Sequence, residues 1–192
     1  MTVPLSPPPV TAVVVCGGEA RRFGADKITA RLAGRTILDH VLDALPQAWP
    51  VIAVGPERPA QRAVLWVRES PPAGGPLAGV LAGARAAGSS LVVVLAGDMP
   101  GAGRAAVALV QALTGDASVD AAIASDEEGQ LNPLLAAYRV EALLALVPDS
   151  GHDRAAKTLL RLAHRAVIVD AWAARDVDTP SDLDRFEREG FR

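Results

Sequence analysis

Short, wholly apolar runs alternate with helix-length amphipathic segments along the chain, and no other sequence feature restricts its possible folds as much. Val13-Val14-Val15, Val51-Ile52-Ala53-Val54 and Leu91-Val92-Val93-Val94-Leu95 lack the polar alternation of a half-exposed sheet. Each therefore predicts a strand covered on both faces. Between the first two, Ile37, Leu38, Val41, Leu42 and Leu45 recur at helical spacing until Pro46. Residues 76–87 read as a helix, with Pro76 in its first turn and Gly88 beyond its end. Further along, 64–67, 121–124, 134–138 and 167–169 predict strands, and 102–113, 141–147, 154–163 and 181–188 predict helices. The alternation implies right-handed crossovers and a three-layer αβα arrangement around a mostly parallel sheet. The stretch 115–133 breaks the pattern and predicts an antiparallel or edge strand. In open sheets of this type ligands bind outside the carboxyl ends of the strands. The chemistry is therefore expected in the loops after Val15, Val54 and Leu95.

Composition narrows the choice further. Half of the 192 residues are hydrophobic and 21% are charged, which supplies a core and excludes wholesale disorder. With 37 alanines and only 4% aromatics, that core must be built from small aliphatic side chains. A net charge of −3 argues against a general nucleic-acid binder. One cysteine makes neither an internal disulfide nor a structural zinc site. The apolar runs are far shorter than the ~20 residues of a spanning helix, so no membrane segment is expected. Residues 1–10 hold Pro4, Pro7, Pro8 and Pro9 and no basic region. They read as a leader without fixed structure, not a secretory signal, with residues 11–192 as one domain in the cytoplasm. Only two of the 19 basic residues are lysines, Lys27 and Lys157. A chain that uses arginine almost everywhere else keeps lysine where a compact ammonium suits a phosphate better than a planar fork.

The loop after the first strand reads Cys16-Gly17-Gly18-Glu19-Ala20-Arg21-Arg22-Phe23-Gly24-Ala25-Asp26-Lys27. Adjacent glycines at a strand end let backbone N–H groups approach an anion. Arg21, Arg22 and Lys27 add three positive charges, and Glu19 and Asp26 remove two, a balance suited to a polyphosphate carrying a metal ion. The spacing fits neither the G-x-G-x-x-G dinucleotide fingerprint nor the P-loop.

The run G-G-x-x-x-R-x-G-x-D-K, placed directly after a first strand, resembles the signature of the molybdopterin nucleotidyltransferase family, which includes the molybdenum cofactor guanylyltransferases. The resemblance implies a Rossmann-like nucleotidyltransferase fold whose glycine loop grips the triphosphate of an NTP. Gly17, Gly18, Arg22 and Lys27 would then contact phosphates, and Val15 and Cys16 would border the base. The family usually has a small residue such as Ala where Cys16 stands, and Cys16 reads as a small core residue.

Three further runs carry the same resemblance. Gly74-Gly75-Pro76-Leu77-Ala78-Gly79 is similar to the family's G-P-L-A-G turn, which sets a helix start beside the nucleotide and includes Gly79 in the nucleotide site. The family carries an acidic base reader just before that turn. Here the candidate is Glu69, where Asp is usual. Gly97-Asp98-Met99-Pro100 follows the central strand, and the resemblance implies Asp98 as a Mg²⁺ ligand, a role that suits a hard carboxylate. Asp176-Val177-Asp178-Thr179-Pro180 stands where many guanylyltransferases of the family have Asn at both acidic positions. Its D-x-D-T-P form is similar to related cytidylyltransferases and to guanylyltransferases acting on phospholactate. A second metal ligand is assigned to Asp178, with Asp176 as the other possibility. Asp178 or Thr179 could also cap the last helix. Asn132, in Asn132-Pro133-Leu134, resembles an element lining the acceptor side, where Asp176 and Asp178 also belong. Arg154, Lys157 and Arg161 have i, i+3, i+7 spacing and would share one helical face, with Arg154 and Lys157 binding the acceptor's phosphate.

The implied activity is Mg²⁺-dependent transfer of GMP from GTP to molybdenum-loaded molybdopterin, with release of pyrophosphate. Lys27, Arg22 and Asp98 would be the catalytic residues. Molybdoenzyme apoproteins or their chaperones would be the downstream partners. Two alternatives stay open: the same fold using CTP with molybdopterin or GTP with phospholactate, and a non-catalytic nucleotide-binding module.

Overall fold

The computed structural model describes residues 9–17 and 26–191. Along the chain run β1 (Val10–Val15), β2 (Arg31–Leu32), β3 (Arg35–Thr36), α1 (Ile37–Asp43), β4 (Val51–Val54), β5 (Leu65–Val67), α2 (Gly75–Ala86) and β6 (Leu91–Ala96). Then follow α3 (Ala106–Thr114), β7 (Ala121–Ser125), β8 (Leu131–Arg139), α4 (Val140–Leu146), β9 (His164–Ile168), α5 (Ala171–Ala174) and α6 (Pro180–Arg188). β2 and β3 form a small hairpin; the other seven strands form one sheet in the order β5-β4-β1-β6-β8-β7-β9. Only β8 runs antiparallel to its neighbours. The expected three-layer Rossmann-like arrangement is the one observed.

Every residue of β1, β4 and β6 is buried. Successive side chains point to opposite faces of a strand, so each of these strands feeds two cores. Val13, Val15, Ile52, Val54, Val92 and Val94 pack with Leu77, Val80 and Leu81 of α2 and Leu143 of α4. Ala12, Val14, Ala53, Val93 and Leu95 face Leu38, Val41 and Leu42 of α1 and Leu109 and Leu113 of α3. A third, aromatic cluster joins Leu32, Ile37, Val177, Phe186 and Phe191, with Trp172 against it. The chain leaves β1 toward β4 on one side and returns through β6 on the other. The switch in winding direction therefore falls between β1 and β6, where such sheets open a crevice at the strand ends.

Several expected boundaries move. Residues 1–8 of the expected leader lie outside the described residues, whereas Val10 already pairs with Leu91 inside the sheet. The stretch 115–133, expected to hold an antiparallel or edge strand, contains β7 and the start of β8; β8 is antiparallel to both neighbours and lies between β6 and β7, not at an edge. It contains Pro133, which has no N–H to give a ladder, and the β7–β8 register shifts at Ile123/Ala124 opposite that segment. The Tyr138 hydroxyl donates to the Pro133 carbonyl at 2.7 Å, and its burial raises the phenol's pKa. Residues 102–105 form a 3-10 turn ahead of α3. The predicted helix at 154–163 is a 3-10 helix over Ala156–Arg161.

Arg62 closes the end of α1. Its guanidinium donates to the carbonyls of Leu42, Leu45, Pro46, Gln47 and Trp49. Helix C-terminal carbonyls lack partners within the helix, and here one planar fork satisfies that end and the following turn. Arg62→Met is expected to lower unfolding free energy by about 2–3 kcal/mol, because the acceptors lose a charged donor. Urea denaturation measures it, and Arg62→Lys should recover little because an ammonium cannot span the same acceptors.

Candidate active site

β1 and β6 end side by side, with Val15 paired to Ala96. The Gly97 N–H donates to the Val15 carbonyl at 2.9 Å, which carries the pairing one residue beyond β6. A Cβ at Gly97 would stand 3.0 Å from Cys16 Sγ, so glycine lets the two strand ends approach. Asp98 follows at once and projects its carboxylate into the crevice. Lys27 enters from the end of the glycine loop, on a 3-10 turn over Lys27–Thr29. Asp178 enters from the segment before α6.

These three side chains meet. The Lys27 ammonium lies 2.7 Å from Asp98 Oδ2 and 2.9 Å from Asp178 Oδ1. The lysine side chain is only 18% exposed, so solvent screens the contact incompletely. Burial alone would lower the Lys27 pKa, but the hydrogen bonds to Asp98 and Asp178 together with the charges of both carboxylates outweigh it and hold the pKa above its ordinary value. A lysine raised in this way contributes stability in full below its unfolded pKa, and that contribution is lost only as pH rises through the higher folded value. At neutral pH the group is a cation. Asp176 stands beside the pair: burial raises its pKa, the Asp178 and Asp98 carboxylates add to the rise, and a backbone N–H and Lys27 oppose it. Two carboxylates thus hold the ammonium, and a third, Asp176, stands close enough to feel all three charges.

The main chain fixes this geometry. The Val177 N–H donates to the Asp98 carbonyl at 2.9 Å, and the Val177 side chain is fully buried with Phe186 and Phe191. Thr179, not Asp178, caps α6: its hydroxyl and N–H both engage the Asp182 carboxylate in a capping box.

Beside the charged cluster lies a cleft of about 570 Å³. Its walls include Val15, Cys16 and Gly17 from the end of β1, Arg58, Arg68 and Glu69, and Gly75, Pro76 and Gly79 at the start of α2. A Cβ at Gly79 would lie 3.1 Å from Val15 Cγ1, so the glycine lets α2 sit close against β1. Glu69 Oε1 accepts from the Ala73 N–H at 3.2 Å. Burial pushes the Cys16 thiol up to about 12, against a downward pull from Arg58 and with smaller upward pushes from Asp98 and Asp26. Cys16 is therefore an inert wall residue. A second cavity of about 70 Å³ is lined by Asp26, Lys27, Arg58, Asp98 and Leu134, and shares Val15, Gly17, Arg58 and Pro76 with the first.

Not every expected site residue joins this centre. Gly18, Arg21 and Arg22 lie outside the described residues. Asn132 is adjacent, its amide donating to Met99 Sδ at 3.6 Å and its carbonyl accepting from the Leu134 N–H at 2.9 Å. Arg154 and Lys157 line neither cavity. Arg154 pairs with Asp149 at 2.5 Å and precedes the 3-10 helix, on which Lys157 is exposed. The shared helical face expected of Arg154, Lys157 and Arg161 does not form. The loop before them still touches the site's border, since the Asp153 N–H donates to the Gly74 carbonyl at 3.1 Å. Arg58 and Arg68 are additional cationic walls. Arg58 follows Gly55-Pro56 at the carboxyl end of a parallel strand, so its position alone marked it as a candidate.

A winding switch between β1 and β6, a glycine-rich strand end, and a cation held by two carboxylates define a Rossmann-like protein with a crevice suited to an anionic ligand. Comparison with known proteins makes this specific: residues 12–167 match the MobA-like NTP transferase domain, and the chain belongs to that family. It is 31% identical over 196 residues, spanning 94% of this chain and 96% of the relative, to a protein of Opitutus terrae named "Probable molybdenum cofactor guanylyltransferase". A Chloroflexus aggregans protein of the same name is 33% identical over 149 residues, 71% of this chain and 69% of that one. Among solved structures, molybdopterin-guanine dinucleotide biosynthesis protein A from Archaeoglobus fulgidus superposes with a TM-score of 0.70 at 23% identity, covering 93% of this chain and 97% of that one. Among the described residues, no helix is long and apolar enough to cross a membrane.

Proposed function

We propose that this enzyme transfers GMP from GTP to the terminal phosphate of molybdenum-loaded molybdopterin and releases pyrophosphate, in a Mg²⁺-dependent reaction of molybdenum cofactor biosynthesis. The observation that carries the reading is the meeting of Lys27 with Asp98 and Asp178 at the mouth of the β1–β6 crevice, beside a cleft of nucleoside size. The names of the curated relatives support the acceptor and the base.

Glu69 favours guanine on chemical grounds. A carboxylate only accepts hydrogen bonds, and guanine presents N1–H and N2–H₂ donors side by side. The corresponding edge of cytosine presents a single exocyclic donor beside two acceptors. Glu69→Gln is expected to lower kcat/KM for GTP by about tenfold, because a donor then faces the base where an acceptor was needed. Steady-state rates with GTP and CTP side by side measure this, and an unchanged GTP/CTP ratio would take Glu69 out of base selection.

The acceptor's phosphate oxygen is already ionised near neutral pH, since a phosphomonoester has its second pKa near 6. No general base is needed, and among the described residues no histidine lines either cavity. The task left to the protein is to align two anions and stabilise charge on the leaving pyrophosphate. Lys27, a cation at working pH, would leave the carboxylates and meet the β- and γ-phosphates. Asp98 and Asp178 would hold Mg²⁺, which when bound neutralises triphosphate charge and polarises the reacting phosphorus. Two hard oxygens converging on a cation suit that ion, whose other ligands are commonly phosphate and water. Among the described residues, no set of three acidic, histidine or cysteine groups could hold a metal unaided. Incubating the purified enzyme with molybdenum-loaded molybdopterin and GTP, CTP or ATP in turn, with and without Mg²⁺, tests the reading. Consumption of CTP in place of GTP would shift the base assignment, and no pyrophosphate from any of them would remove the activity.

A further inference from the structure

We propose that Arg58 holds the α-phosphate of the bound nucleotide, the phosphorus at which transfer occurs; the inference rests on the reading above and adds a residue to it. The base cleft and the cavity at Lys27 and Asp98 share four wall residues, Val15, Gly17, Arg58 and Pro76. A nucleoside triphosphate with its base beside Glu69 and its terminal phosphates at Lys27 must lay its ribose and α-phosphate across that shared wall. Arg58 alone among the four has a polar side chain.

The guanidinium is built to be used. Its side chain is only 11% exposed, so its charge is weakly screened. Nε donates to Asp26 Oδ2 at 2.5 Å and Nη1 to the Pro56 carbonyl at 2.8 Å. These bonds use two of the five N–H donors of a rigid planar fork and fix the plane of the rest. Asp26 directly precedes Lys27, so the pair ties the loop after β4 to the end of the glycine loop. During transfer, the acceptor's phosphate oxygen forms a bond to the α-phosphorus. The bond from that phosphorus to the α–β bridging oxygen breaks, and pyrophosphate leaves with the electron pair. The non-bridging α-oxygens are charged throughout, and a preorganised fork aimed at them stabilises the passage.

The test measures binding of guanosine, GMP and GTP, and of cytidine, CMP and CTP, to the purified wild-type chain and to Arg58→Met, Arg58→Lys and Asp26→Asn. Melting curves check that each variant is folded. Arg58→Met is expected to weaken GMP and GTP by a common factor of about tenfold and to leave guanosine within about twofold, as loss of one charged donor to phosphate requires. Arg58→Lys should recover part of the loss, and Asp26→Asn, which keeps the cation but frees its plane, should lose less than Arg58→Met. A loss shared by guanosine would make Arg58 a wall of the base cleft. A loss confined to GTP would move it to the outer phosphates, and unchanged GMP binding would remove the contact; each of these overturns the proposal. If cytidine nucleotides bind and guanine nucleotides do not, the base assignment fails while cytidine and CMP still read Arg58. Binding of neither series overturns both.

Discussion

Replacing Asp98 with Asn is expected to reduce turnover by about 10³-fold while the melting temperature moves by only a few degrees. The large effect follows from chemistry. The amide keeps the shape of the carboxylate but removes the charge that would hold a divalent cation against the triphosphate. The small effect on folding follows from the surroundings. Asp98 is about a quarter exposed, Lys27 keeps Asp178, and partly solvated ion pairs contribute at most about 1 kcal/mol. The Val177 hydrogen bond is made by the Asp98 backbone and survives the substitution. Single-turnover pyrophosphate release and a thermal melt measure the two quantities. Turnover close to that of the wild type would take Asp98 out of the reaction.

Lys27→Met is expected to lower kcat/KM for the nucleotide by about 10²-fold, since one cation on the outer phosphates disappears from a sheltered site. A second readout needs no turnover. In the wild type the ammonium occupies the position between Asp98 and Asp178 that a metal ion would take. Removing it leaves two carboxylates, with Asp176 close by, without the ammonium that joins them. Mg²⁺ alone should then raise the melting temperature of Lys27→Met, by mass action on the folded state, and have little effect on the wild type. Equal responses of the two proteins would show that the lysine does not stand in for a cation.

The sheet was legible where burial is two-sided. Val51-Ile52-Ala53-Val54 and the run from Leu91 contain no polar residue, so any fold must cover both their faces, and β4 and β6 have almost the expected bounds. Gly55-Pro56 after one and Gly97-Asp98 after the other marked the strand ends and with them the crevice. The position of β8 was not legible, because strand order is decided by which long-range pairs form and leaves no local pattern. Residues 154–163 read as a helix, with Arg154, Lys157 and Arg161 at helical spacing, yet the chain takes a 3-10 form there. Gly151 and Asp153 take positive φ values just before, and Leu159 within this short, tight segment and Leu162 just after it are buried in the core. The helical-face reading of Arg154 and Lys157 failed with it. Lys27 and Asp98 stood out by residue type and by position after a strand, whereas the metal roles of Asp98 and Asp178 came from the family resemblance of their runs, with Asp176 as the alternative to Asp178. The joining of Asp98 and Asp178 around the Lys27 nitrogen, across up to 151 residues of chain, is a property of the folded molecule.

The hydrogen bond from Val177 to the Asp98 carbonyl has a consequence for truncated chains. One half of the acidic pair sits mid-chain, and the other depends on a segment anchored by Phe186 and Phe191. A chain cut before Phe186 keeps β1, β4 and β6 but loses the aromatic packing that holds Val177, the residue before Asp178, in place. The acidic pair is therefore completed only by the last part of the chain, after every strand that supports it.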